Sequence, residues 1–141
     1  MPKFVFCVKL RAEENTYMDI KNLLNNAFEV KEIKAGSYQI KTGAVLPNGK
    51  PLYCFIDKTP NGFIISDKKY VLKYMNDLYF LNATDVKNCI SSVIKINKFK
   101  IVQGILFSEI KSESEVVPKV FQFVMCVAQL INMYAFFDPP A

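Results

Sequence analysis

Residues 38–67 read YQIKTGAVLPNGKPLYCFIDKTPNGFIISD. Three apolar runs are separated by two turns, Pro47-Asn48-Gly49-Lys50 and Thr59-Pro60-Asn61-Gly62, and each turn contains Asn-Gly. Both residues of that pair tolerate positive φ, which matches a tight turn to the right-handed twist of paired strands. The stretch therefore predicts three antiparallel strands, over 38–46, 52–57 and 63–67, joined as a meander. Residues 30–34 add an edge strand that Ala35-Gly36 breaks.

Outward from the meander the pattern becomes helical. On the amino-terminal side, 3–10 reads as a strand and 11–15 as a loop. Thr16-Tyr17-Met18-Asp19 then resembles a capping box. Tyr17, Ile20, Leu23, Leu24 and Phe28 recur at three- and four-residue steps, which predicts a helix ending near Ala27. After the meander, Val71, Leu72, Met75 and Leu78 share one face of a helix over 69–78. Asn82 or Thr84 caps a second, whose inner face is Val86, Cys89, Ile90, Val93 and Ile94. Ile101-Val102 and residues 105–107, split at Gly104, predict a short hairpin or bulged strand. Polar residues 111–115 predict a loop, with Ser114 a cap and Pro118 in the first turn of a final helix.

Of residues 120–137, 15 of 18 are apolar. Roughly 20 apolar residues cross a bilayer, but Gln122, Gln129 and Asn132 interrupt this run and its flanks carry only Lys119 and Asp138. A sheet with one apolar face also needs a long helix to cover it. The expectation is a core helix with Phe123, Val127 and Leu130 inward, Gln122, Gln129 and Asn132 on a partner or dimer face, and no membrane. These elements make one α+β domain over residues 1–141: an antiparallel meander sheet flanked by helices, with the long carboxy-terminal helix packed on it.

Composition narrows the chemistry. Histidine is absent, and Arg11 is the one arginine among 18 basic residues. Imidazole bases, Ser-His and Cys-His nucleophile pairs and most zinc sites are thereby excluded, as is the planar Arg fork that reads phosphates and guanine edges. Five glycines at 36, 43, 49, 62 and 104 form no phosphate loop. Cys7, Cys54, Cys89 and Cys126 lie more than thirty residues apart inside or beside apolar runs. They read as buried thiols in a reducing compartment, hence a cytoplasmic protein with no cofactor and no metal.

Two charged patterns remain as candidates. Glu109-Ile110-Lys111 ends an apolar run, and Asp57 and Asp67 end predicted strands; a carboxylate with Glu-x-Lys is how some nucleases hold Mg²⁺. Two helices intervene in sequence between these strands, which argues for solvated charges and no catalytic residue. Lys95, Lys98 and Lys100 cluster beside Phe99 as a weak nucleic-acid patch, although a net charge of +5 spread along the chain reads first as solubility.

The order of Thr42-Gly43-Ala44-Val45, the Asn48-Gly49 turn, Tyr53-Cys54-Phe55-Ile56, Gly62-Phe63-Ile64-Ile65-Ser66-Asp67 and the helix over 71–75 resembles a bacterial and phage family catalogued as a domain of unknown function. An apolar carboxy-terminal helix closes the pattern in both. Lys68-Lys69 stands where that family has a glycine-containing turn. The resemblance, over about residues 18–137, implies an accessory protein of prophages and mobile elements. With the missing catalytic groups it points to a non-catalytic domain acting on a protein partner in defence or counter-defence, or forming a homodimer. The alternatives are a metal-dependent nuclease or its remnant, and a lysine-driven nucleic-acid binder.

Overall fold

The meander is built on antiparallel pairings throughout. Strands β1 (Glu29–Lys34), β2 (Ser37–Val45), β3 (Pro51–Thr59) and β4 (Gly62–Ser66) follow one another in space as in sequence. Strand β6 (Ile105–Ile110) lies against β4, and β5 (Lys100–Val102) closes the far edge, giving the order β1-β2-β3-β4-β6-β5. Among the described residues four α-helices accompany the sheet: α1 (Ala12–Ala27), α2 (Tyr70–Leu78), α3 (Thr84–Ile96) and α4 (Val116–Asn132). The structure is a computed structural model that describes residues 12–78 and 84–132. The expected strand over 3–10, Cys7, Asn82 and residues 133–137 of the apolar run lie outside the described residues.

Register fixes the two faces of the sheet. Tyr38 pairs with Ile56, Ile56 with Ile65 and Ile65 with Ser108, so these four residues share one face. Ile40 and Cys54 are paired on that face, as are Phe63 and Ile110. All of them are buried, and the apolar ones belong to one core with Ile20 and Leu24 of α1, Val71 and Met75 of α2, Ile90 of α3, and Val120, Phe123, Val127 and Leu130 of α4. The helices thus form a single layer on this inner face, as the α+β reading requires. Phe123, Val127 and Leu130 are inward as their spacing demands.

Local chemistry explains the turns and departs from the sequence reading in places. The β2–β3 connection falls at the expected Pro47-Asn48-Gly49-Lys50 turn. It spans Leu46 to Lys50, closed by Leu46 N donating to Lys50 O (2.8 Å) and Gly49 N to Leu46 O (2.8 Å). A bulge precedes it, where Thr42 Oγ1 donates to Leu52 O (2.9 Å) and accepts from Ala44 N (3.2 Å), with Gly43 at φ 90°. The β5–β6 hairpin turns at Gln103 and Gly104, both with positive φ (52° and 79°), the backbone of a tight hairpin turn. At Gly62 a Cβ would strike the Ile110 carbonyl oxygen, so glycine is required where β4 meets β6.

Helix ends differ too. The capping box expected at Thr16 to Asp19 and the loop over residues 12–15 are corrected, because α1 runs from Ala12 and its start lies earlier. Helical continuity over these residues outweighs the local capping signal, which competes only weakly with helix once neighbours propagate it. Residues 111–115 are not simply a loop: Glu113–Glu115 forms a 3₁₀ turn leading into α4, and Ser114 lies within that turn rather than capping the helix. At the end of α3, Phe99 N donates to Ile94 O (2.8 Å) while Lys98 takes φ 62°, the left-handed closing residue that helices commonly use.

Candidate functional site

The carboxylates come first, since they were the nuclease candidates. Asp67 follows β4 and is fully buried. Its Oδ1 accepts from Lys69 N (2.9 Å) and Leu106 N (2.9 Å), and its Oδ2 from Val71 N (3.0 Å). Its own N–H donates to Leu106 O (3.0 Å). One side chain therefore caps α2 and ties that cap to β6. Lys68 and Lys69 adopt φ 51° and 72° to form the turn. Both are left-handed conformations, which a residue with a side chain adopts at some cost.

The expected separation of the nuclease strands is also corrected: β4 and β6 are adjacent although two helices intervene in sequence. Adjacency does not assemble a site. Glu109 pairs with Ile64, whereas Asp67 sits opposite Leu106, three residues away and on the other face of the strand. Asp57, Ile64 and Glu109 form one cross-strand row, which sets Asp57 and Glu109 two strand spacings apart, about 10 Å. Asp57 Oδ2 accepts from Lys68 Nζ at 2.9 Å. Glu109 and Lys111 are exposed, and Lys111 N donates to Glu115 Oε1 (3.2 Å). Among the described residues no three His, Cys, Asp or Glu side chains group as metal ligands.

Two thiols, Cys54 and Cys126, are held neutral. Burial pushes the Cys54 thiol up, and pushes Cys126 up to about 12 against the opposing pull of Lys119. Lys119 itself is lowered, first by burial and then by Lys98 nearby, and its Nζ lies 5.1 Å from the Phe99 ring centroid. A neutral thiol is a poor nucleophile and metal ligand.

What remains for function is the outside of each layer. On α4, Pro118, Phe121, Gln122, Met125, Ala128, Gln129 and Asn132 fall within about one third of the helix circumference at 100° per residue. Phe121 and Met125 are 54% and 56% exposed, and Leu23 on the neighbouring α1 is 40% exposed. From Val120 to Asn132 no residue carries a charge. Phe28 braces this strip, its ring centroid 5.1 Å from that of Phe121. The expected outward glutamines divide: Gln122 is half-buried, while exposed Gln129 also accepts from buried Asn97 Nδ2 at 2.7 Å and so locks α3 to α4. By length and composition residues Glu113–Asn132 are apolar enough to cross a membrane, yet six residues of α4 are built into the core.

The outer face of the sheet has a different character. Lys31, Gln39, Phe55, Ser66, Phe107 and Lys100 form one continuous row across all six strands. Tyr53 flanks Phe55 on the same strand, and Phe55, Phe107 and Tyr53 are half-buried without joining the core. At one end a cleft of about 710 Å³ is lined by Ile33, Lys34, Phe55, Asp57, Lys58 and Lys68, among others. Of the lysines singled out in the sequence, Lys100 belongs to this row, whereas Lys95 ends α3 and Lys98 lies beyond it. Phe55 and Phe107 went unnoticed in sequence, because a strand residue facing outward cannot be told from one facing inward in an apolar run.

The chain matches no protein-family model, no curated protein and no solved structure.

Proposed function

We propose that this chain is a non-catalytic protein-interaction domain, an accessory protein of a prophage or mobile element that acts on a protein partner in defence or counter-defence. The observation that carries the reading is the outer strip of α4, where Phe121 and Met125 stand more than half exposed among thirteen residues without a charge. A solvated helix face normally carries charged side chains, and contiguous exposed apolar surface marks contact sites. The roles of the carboxylates support the same reading: Asp67 is used by backbone N–H groups, Asp57 by Lys68, and Glu109 stands apart. The mobile-element context rests on the family resemblance. Cytoplasmic location is supported by the buried neutral thiols Cys54 and Cys126.

A photo-reactive residue at Ala128, on the strip, tests this in bacterial cells expressing the full chain. The expected result is a discrete protein adduct, either to a second copy or to another protein, that disappears on Met125→Lys and is absent when the probe sits at exposed Lys87 on α3. No adduct at Ala128, or the same adducts from both positions, contradicts the reading.

A further inference from the structure

We propose that the outer face of the sheet is a platform for single-stranded nucleic acid, separate from the protein-contact strip on α4. An antiparallel sheet with one solvated face ordinarily alternates apolar-in and polar-out. Here the central strands place rings outward as well. Phe55 and Phe107 lie in one row, two strand spacings or about 10 Å apart, with buried Ser66 between them and Tyr53 alongside. Aromatic rings on the open face of a sheet are how such faces hold unpaired bases, since every base offers a stacking surface.

Charge complements the rings. The row ends in Lys31 on β1 and Lys100 on β5, and the cleft beside Phe55 adds Lys34. Among the described residues none of these three is held in an ion pair, while Lys41 pairs with Glu29 and Lys68 with Asp57. Gln39 in the same row supplies a neutral hydrogen-bonding group suited to base edges. The α4 strip, by contrast, has no charge with which to hold a phosphate. Glu109 is the one carboxylate of the outer face that no described lysine neutralises through an ion pair, and it works against the phosphate backbone.

A duplex hides its base faces, so the chemistry selects single strands. Three lysines engaging about three phosphates give a slope of log K against log salt of about −2. Without arginine, little sequence preference is expected.

The test is fluorescence anisotropy of the full chain with labelled oligo-dT, oligo-U and a DNA duplex at two salt concentrations. Single strands should bind in preference to duplex, with the stated salt slope. Phe55→Leu and Phe107→Leu keep an apolar side chain but remove the stacking face, and each should weaken binding about ten-fold with the thermal midpoint little changed. Lys31→Glu with Lys100→Glu should do the same, and Glu109→Gln should tighten it. Met125→Lys should leave it unaltered, which separates this outcome from failure of the protein-contact reading. Absence of single-strand binding at low salt, equal or tighter duplex binding, or affinity unmoved by either phenylalanine variant overturns the proposal.

Discussion

The two faces of the sheet are made from alternate residues of the same strands, yet they do opposite work. On β3, Cys54 and Ile56 are sealed beneath the helices while Tyr53 and Phe55 face outward, half-buried and outside the core. On β6, Leu106 and Ile110 are fully packed and Phe107 is not. Apolar character alone therefore does not identify core in this chain; the layer of helices does. The same contrast holds for charge: Asp67 inside is spoken for by three backbone donors, and Asp57 outside holds a single partly exposed lysine.

The largest expected effect follows from that pair of aspartates. Asp67→Ala leaves two buried donors, Val71 N and Leu106 N, without an acceptor, which at about 1–3 kcal/mol each costs about 2–6 kcal/mol. Asp57→Ala removes a partly exposed ion pair and should cost less than about 1 kcal/mol. Urea denaturation of both variants checks the ratio, and equal costs would break the inner–outer distinction.

Next comes packing. Phe123→Ala or Leu130→Ala should cost about 2–5 kcal/mol through lost transfer energy and an unfilled cavity, whereas Phe55→Leu on the outer face should cost less than about 1.5 kcal/mol. Gln129→Ala should cost about 1 kcal/mol, well below the core variants, because Asn97 loses one of two acceptors but keeps Val93 O at 2.8 Å. The same denaturation curves rank all four.

The thiols sharpen the contrast through pH. An exposed or unfolded thiol titrates near 8.5, while burial holds Cys126 up to about 12. The folded state then keeps a proton that the unfolded state releases. The thiol's contribution to stability is intact below about pH 8.5 and declines as pH rises towards the folded value. Denaturation midpoints at pH 7.5 and 10 should converge in Cys126→Ala relative to the parent chain.

The smallest effect lies in the turn after Asp67. Lys69 occupies a left-handed conformation that costs a non-glycine residue about 1 kcal/mol. Lys69→Gly should raise stability by up to about 1 kcal/mol, offset in part by the freer unfolded chain, and a small upward shift in thermal midpoint reports it.

Much of this architecture was legible because its signals are local. The Asn-Gly turns, the strand runs around them and the three- and four-residue apolar steps of α2, α3 and α4 all act within a few residues. The inward set Phe123, Val127 and Leu130 followed from helical periodicity. What escaped depended on contacts distant in sequence. Asp67 as a staple needs Leu106, thirty-nine residues on, and Gln129 as a lock needs Asn97, thirty-two residues back. The adjacency of β4 and β6 across two helices is likewise set by tertiary packing. The start of α1 was missed for a different reason, since the Thr16 to Asp19 capping signal fits a helix interior less well than an end and still yielded. Phe55 and Phe107 show the limit most clearly: a run such as Tyr53-Cys54-Phe55-Ile56 is apolar on both faces, so alternation gives no clue to which face stays open.

The measurement that bears most directly on the account sets the two outer surfaces against each other in one experiment. The Ala128 photo-adduct and the oligo-dT affinity are read for the parent chain, Met125→Lys and Phe55→Leu, each shown to be folded by its thermal midpoint. The account predicts a crossed result. Met125→Lys abolishes the adduct and leaves oligo-dT affinity within about two-fold, while Phe55→Leu weakens oligo-dT about ten-fold and leaves the adduct intact. If either variant moves both readouts while folded, or if neither moves any, the division of labour between the uncharged helix strip and the aromatic sheet face is wrong.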